Sequence, residues 1–119
     1  MKHRVYRDHD LIVAVLIGDI DLSCMKELIV EASKLVHALK QEHKTVCILA
    51  DLSEFGRSDI AARRWAVRSL RRWPVHKVAI CGGSIMGRIV PKILLSVAGK
   101  REMLRYFNNE TDAKGWIQQ

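Results

Sequence analysis

Four aspartates define the chemistry open to this chain. Asp19 and Asp21 follow one apolar run, Asp51 and Asp59 bracket the stretch after another, and carboxylates gathered at one edge suit Mg²⁺ or acceptance of a phosphoryl group. Helix capping and turn formation are the simpler roles for Asp19, Asp21 and Asp59. Between the last pair lie two hydroxyls, Ser53 and Ser58, in the run Asp51-Leu52-Ser53-Glu54-Phe55-Gly56-Arg57-Ser58-Asp59. A phosphate on either serine would add roughly two negative charges beside Glu54 and Asp59, which repels an acidic partner or recruits Arg57 and Arg63. We read residues 51–59 as a loop that binds a partner or acts as a switch, with Asp51 fixing it.

A second candidate is Gly82-Gly83-Ser84-Ile85-Met86-Gly87-Arg88-Ile89, which approaches a phosphate-binding loop between a strand and a helix. Arg88 stands where the phosphate-reaching lysine belongs, and Ile89 where a Mg²⁺-ligating hydroxyl belongs. The remaining chemistry is an anion site made of backbone N–H groups at Gly82, Gly83 and Ser84 with Arg88 nearby. The alternative is a tight glycine turn with Ser84 as cap. His3, His9, His37, His43 and His76 have no metal-binding spacing, and no serine or cysteine has an evident base. The reading therefore includes no cofactor, no metal site and no catalytic residue.

These residues need a scaffold of alternating strands and helices. Val5 to Tyr6 and Leu11 to Ile17 read as strands paired across a turn at residues 7–10, and Leu22 to Lys40 as an amphipathic helix with Leu28, Leu35 and Leu39 on its apolar stripe. Thr45 to Ala50 is short, apolar and β-branched at its start, the pattern of a strand covered on both faces. Ser58 or Asp59 caps the next helix, residues 59–73, which Pro74 stops. A strand over residues 75–81, a helix over 84–98, a short strand over 103–107 and a last helix capped by Asn109 and carrying Trp116 inward complete the order. Helices between strands impose crossover connections. The fold class is thus α/β, a mixed and mostly parallel sheet with about four helices on it, and the chain reads as a single domain over residues 1–119. Loops at 18–21, 51–59 and 82–84 should meet beyond the carboxyl ends of the strands.

Arg64, Arg68, Arg71 and Arg72 fall on one side of the second helix and must face water or an acidic partner. Ala62, Ala66, Leu70 and Trp73 form its core stripe. Arg63 projects apart from the other arginines, toward the 51–59 segment, to pair with Asp51 or Asp59 or to reach a phosphate; the salt bridge is the plainer role. The helix over 84–98 is apolar around most of its circumference and carries Pro91, which removes a backbone bond to Gly87 and kinks it. A second apolar face there suggests a homodimer interface, a protein partner or a lipid chain.

The Asp-Leu-Ser after the central strand, the second acid at Asp59 and the following helix resemble the STAS domain of anti-sigma-factor antagonists and sulfate-transporter tails. Leu16 to Asp21, Lys77 to Ser84, and Arg105-Tyr106-Phe107 followed by Asp112 to Ile117 extend the resemblance, the last segment being most similar to the SpoIIAA-like branch. In the antagonists the phosphorylated serine directly follows the second acid, where this chain has Ile60. The resemblance implies a non-enzymatic regulatory or interaction module whose protein partner contacts Asp51, Ser53, Ser58, Asp59 and Arg63. The SpoIIAA-like relation to the Sec14 fold implies an alternative, a lipid or small apolar ligand with its anionic head at Gly82 to Ser84 and Arg88. Asp19-Ile20-Asp21-Leu22-Ser23 also resembles the Asp-x-Asp-x-Thr opening of haloacid-dehalogenase phosphatases. That family needs a late acidic pair on a further strand, and Cys81-Gly82-Gly83-Ser84 supplies no carboxylate; a Mg²⁺-dependent phosphatase is the third reading.

Composition bounds all three. A hydrophobic fraction of 49% with 28% charged residues describes an ordinary globular chain of 119 residues, with no membrane-length apolar run. Three cysteines, an odd number at spacings unlike a metal site, fit reduced thiols and a cytoplasmic location. The formal net charge of +7 favours anionic partners. Specific nucleic-acid binding finds no aromatic platform, helix-turn-helix spacing or zinc pattern.

Overall fold

Leu11–Ile20 is apolar at successive positions because both faces of this strand, β2, are covered: Ile12, Val13, Ala14, Val15 and Leu16 are all buried. It lies in a computed structural model that describes residues 3–82 and 103–119. Strand β1 (His3–Asp8) pairs antiparallel with β2 from His3↔Leu16 to Asp8↔Leu11. His9, in the turn between them, takes the left-handed conformation (φ 56°) that histidine adopts more readily than most side chains. The chain continues as α1 (Leu22–Gln41), β3 (Val46–Ser58), α2 (Ile60–Arg72), β4 (Val75–Cys81), β5 (Leu104–Phe107) and α3 (Glu110–Ile117). The five strands stand in sequence order, and β2–β3, β3–β4 and β4–β5 are parallel. This is the expected mixed, mostly parallel sheet. Three helices occur among the described residues, and the expected helix over 84–98 lies outside them.

Alternate residues of each strand enter different cores, as the pleat requires. Ile12, Ala14, Leu16, Ile48, Val78 and Ile80 pack against Met25, Leu28, Val36 and Leu39 of α1 and Ala62 of α2. Leu49, Ala79 and Cys81 point to the other face and meet Ala113 and Trp116 of α3. The helix ends follow local chemistry. Asp21 caps α1 by accepting from the backbone N–H of Cys24 at 2.8 Å, and Asn109 caps α3 through Asp112 N–H at 2.9 Å. Trp73 ends α2 with extended backbone (ψ 143°), as the residue before Pro74 must. At the opposite end of the sheet Arg7 grips Glu42 with two bonds of 2.7 and 2.8 Å and ties the first hairpin to the end of α1.

The structure corrects the expected loops at 18–21 and 51–59. Strand β3 does not stop at Ala50 but runs through Ser58, and β2 runs through Ile20. The two supposed loops pair with each other, Ile17↔Glu54, Gly18↔Phe55 and Ile20↔Ser58, with register shifts between Val15 and Ile17 and between Gly18 and Ile20. Turn-forming residues here serve bulges instead of a loop. Gly18 supplies the positive φ of 69° at one of them.

Candidate functional site

At the carboxyl end of the sheet each predicted carboxylate holds a backbone N–H. Asp51, paired in register with Cys81, accepts from Ser53 N–H at 2.9 Å. Asp19 accepts from Arg57 N–H at 2.9 Å across the β2–β3 ribbon. Asp59, not Ser58, caps α2, accepting from Ala62 N–H at 2.7 Å. Asp21 and Asp59 thus take the expected role of helix caps, and Asp19 and Asp51 fasten the strand ends. No group of three metal-ligating side chains comes together among the described residues.

These bonds create a strand-to-helix hinge with an exposed outer side. Beyond Asp51 β3 loses its β4 partner, since that pairing ends at Asp51↔Cys81. Ser53, Glu54, Gly56, Arg57 and Asp59 are exposed along it, and Ile60 at the start of α2 keeps 59% of its surface in water. Gly82 backs the hinge from β4. Its φ is +77°, and a Cβ built there would lie 2.7 Å from Ser53 N and 2.9 Å from Ser53 Cβ. Tyr106 donates its hydroxyl to the Gly82 carbonyl at 3.2 Å, so β5 braces the same point.

The two serines part company. Ser53 is exposed; the Ser58 hydroxyl oxygen is sealed from solvent and has no hydrogen-bond partner among the described residues. An unmet buried hydroxyl costs about 1–3 kcal/mol. Arg63 corrects a second expectation. It is half-buried and makes no ion pair with Asp51 or Asp59; it lines a cavity together with Ser58. Arg64, Arg68, Arg71 and Arg72 are exposed on the helix exterior as expected, and Ala62, Ala66, Leu70 and Trp73 pack inward. Gly83, Ser84 and Arg88, and the surface expected for a dimer or lipid, lie outside the described residues.

The sequence places Cys81 in a buried strand, as found, but shows neither its acidic neighbour nor a cavity. Cys81 sits beside Asp51 in the sheet, where burial first and the carboxylates of Asp51 and Glu110 after it push its thiol up to about 11. A protonated thiol of this kind is a core group rather than a nucleophile. The cavity is bounded by the α1- and α2-facing side chains of β2, β3 and β4. The alternation of Ile12, Ala14 and Leu16 foretells which face they share, but not that the layers above leave a gap.

The sequential mixed sheet with a hinge from β3 into α2 is the arrangement expected from the STAS resemblance. A SpoIIAA-like family profile matches residues 11–118, and the chain belongs to that family. Its structure is similar to an uncharacterized protein with a SpoIIAA-like fold from Shewanella loihica PV-4, at 18% identity and a TM-score of 0.66, over 97% of this chain and 91% of that one. It is also similar to the anti-sigma factor antagonist SpoIIAA in its unphosphorylated form (14% identity, TM-score 0.61, 98% and 96% covered). The phosphorylated form of the Bacillus cell fate determinant SpoIIAA gives 13% identity and a TM-score of 0.65, with 97% and 98% covered. These likenesses show a shared fold. No curated protein sequence matches the chain.

Proposed function

We propose that the chain is a non-enzymatic regulatory module of STAS type that binds a protein partner through the end of β3 and the start of α2. One observation carries the reading: the hinge from Ser53 to Ile60 is held by three carboxylate bonds to backbone while its outer side, including a large apolar side chain at Ile60, stays exposed. A surface held by such bonds beneath and exposed above loses little entropy on docking. The arginine side of α2 runs on from Ile60 and carries four exposed cations with no acid anywhere in Ile60–Arg72, so the partner surface would be acidic.

Of the two hydroxyls only Ser53 is open to a kinase, and the reading assigns it the switch. Phosphate on Ser53 would place roughly two negative charges on the hinge next to Glu54 and oppose an acidic partner. Family membership supports a regulatory role, and each of the acids Asp19, Asp21, Asp51 and Asp59 bonds a backbone N–H, which disfavours the phosphatase reading. A photocrosslinking side chain placed at Ile60 in the native cells should form one discrete protein adduct, while the same group at Lys34 on α1 forms none. Absence of an adduct at Ile60 would overturn the partner site. Adduct yield should fall in Ser53→Asp and persist in Ser53→Ala; equal yields in both would remove the switch and leave the docking surface standing.

A further inference from the structure

His3 is the one buried polar or charged residue among those described, with 6% of its surface in water. Its ring joins two groups of α1: Nδ1 stands 3.8 Å from Cys24 Sγ, and Nε2 lies 3.9 Å from Glu31 Oε2. Residues 24 and 31 are about two helical turns apart on one face of α1, and His3, at the start of β1, spans them. A buried imidazole between a thiol and a carboxylate is a nucleophile, its base and the group that orients the base. With Glu31 favouring a proton on Nε2, Nδ1 is left to accept the proton of the thiol. Cys24 also lies in the first turn of α1, where the helix end favours a thiolate, while the Asp21 carboxylate on its N–H at 2.8 Å opposes one. The other two thiols differ in both burial and side. Cys81 packs toward α3, and Cys47 alternates with the α1-facing Ile48 and so shares that far face; both are buried, whereas Cys24 is half-buried and within reach of a small reagent.

We propose that Cys24 is a reversible modification site, a thiol activated by His3 that exchanges with a low-molecular-weight disulfide. His3 Nδ1 takes the Sγ proton, and the thiolate attacks one sulfur of R–S–S–R′. The Cys24–S–S–R bond forms as the bond between the reagent's sulfurs breaks, and R′S⁻ leaves with the proton returned from Nδ1. Cys24 is oxidised and the leaving thiol is reduced. Glu31 is a positioning residue that holds the ring in the tautomer this transfer needs. A peroxide would leave a sulfenic acid with no second thiol on this face to close on, so a disulfide is the matching oxidant. For the same reason the mixed disulfide persists until an external thiol removes it. This site stands on Cys24, His3 and Glu31, and does not depend on the partner reading.

Hydroxyethyl disulfide, a neutral probe, added to the full chain at neutral pH tests the proposal, with the adduct placed by peptide mass. One adduct should form, at Cys24, about threefold faster than the same thiol reacts in the urea-unfolded chain, and His3→Gln should remove that gain. Burial keeps the thiols of Cys47 and Cys81 protonated, so the native protein should show the ultraviolet absorbance of a single thiolate. That absorbance should vanish in Cys24→Ser and His3→Gln and weaken in Glu31→Gln, whose urea midpoint stays unchanged. Should His3→Gln fail to fold, the ratio of native to unfolded rates and the Glu31→Gln absorbance decide alone. The proposal is overturned if native Cys24 reacts more slowly than the unfolded thiol, if Cys47 or Cys81 is modified as fast, or if the native protein shows no thiolate absorbance. An absorbance unchanged in Glu31→Gln would overturn the positioning role of that residue.

Discussion

Gly82 and Gly115 are the same residue under opposite constraints, and their alanine variants should move stability in opposite directions. Gly82 combines φ +77° with a Cβ position 2.7 Å from Ser53 N, so alanine there strains its own backbone and pushes β3 away from β4. A loss of about 1–3 kcal/mol is expected, read as a lower urea midpoint. Gly115 lies inside α3 with nothing within 4 Å of a built Cβ, and Gly115→Ala should gain about 0.5–1 kcal/mol by helix propensity. If both variants lose stability equally, Gly82 is not specifically pinned. At this scale the helix caps were legible, because Asp21, Asp59 and Asn109 act on N–H groups three residues away. The fate of Ser58 was not, since its hydroxyl is buried or free according to which face the end of β3 presents to α1 and α2.

Strands β2 and β3 show why element length was the weakest part of the sequence reading. Apolar runs announce a strand only where it is covered; residues 51–58 are polar and glycine-bearing, so their pattern signals a loop. Pairing with another irregular segment is a tertiary event, and here it extends both strands. Asp19 is the side chain that fixes the extension, through Arg57 N–H at 2.9 Å. In Asp19→Ala the Arg57 amide should exchange with solvent at least about tenfold faster, a change of about 1.4 kcal/mol in local opening, while the Leu49 amide in the paired centre of β3 keeps its protection. Equal exchange of Arg57 in both proteins would mean that Asp19 does not fasten the ribbon. The parallel order itself was readable, because helix-length connections between strands leave few other topologies.

Over the whole molecule, sheet and helices bury two thiols, and that burial shapes stability against pH. Cys81 is pushed up to about 11 by burial and then by the carboxylates of Asp51 and Glu110, and burial raises Cys47 as well. Unfolded chains release these protons near pH 9, whereas the native state holds them, so the native state binds more protons and loses stability as pH rises. The contribution is complete below pH 9 and disappears between there and about 11. Lys114 adds to the same arm, because its bond to Glu110 raises it and that gain is lost only above the ordinary lysine value. On the acid side Arg7 lowers Glu42, whose contribution is present above its ordinary carboxyl value and lost as pH falls past it. The urea midpoint should therefore be level from pH 6 to 8 and fall by pH 10.5. Cys81→Ala should start lower, from the lost packing against Trp116 and its neighbours, yet fall less steeply over the same interval. Parallel slopes in the two proteins would show that the alkaline loss arises elsewhere, with Cys47 the first group to test.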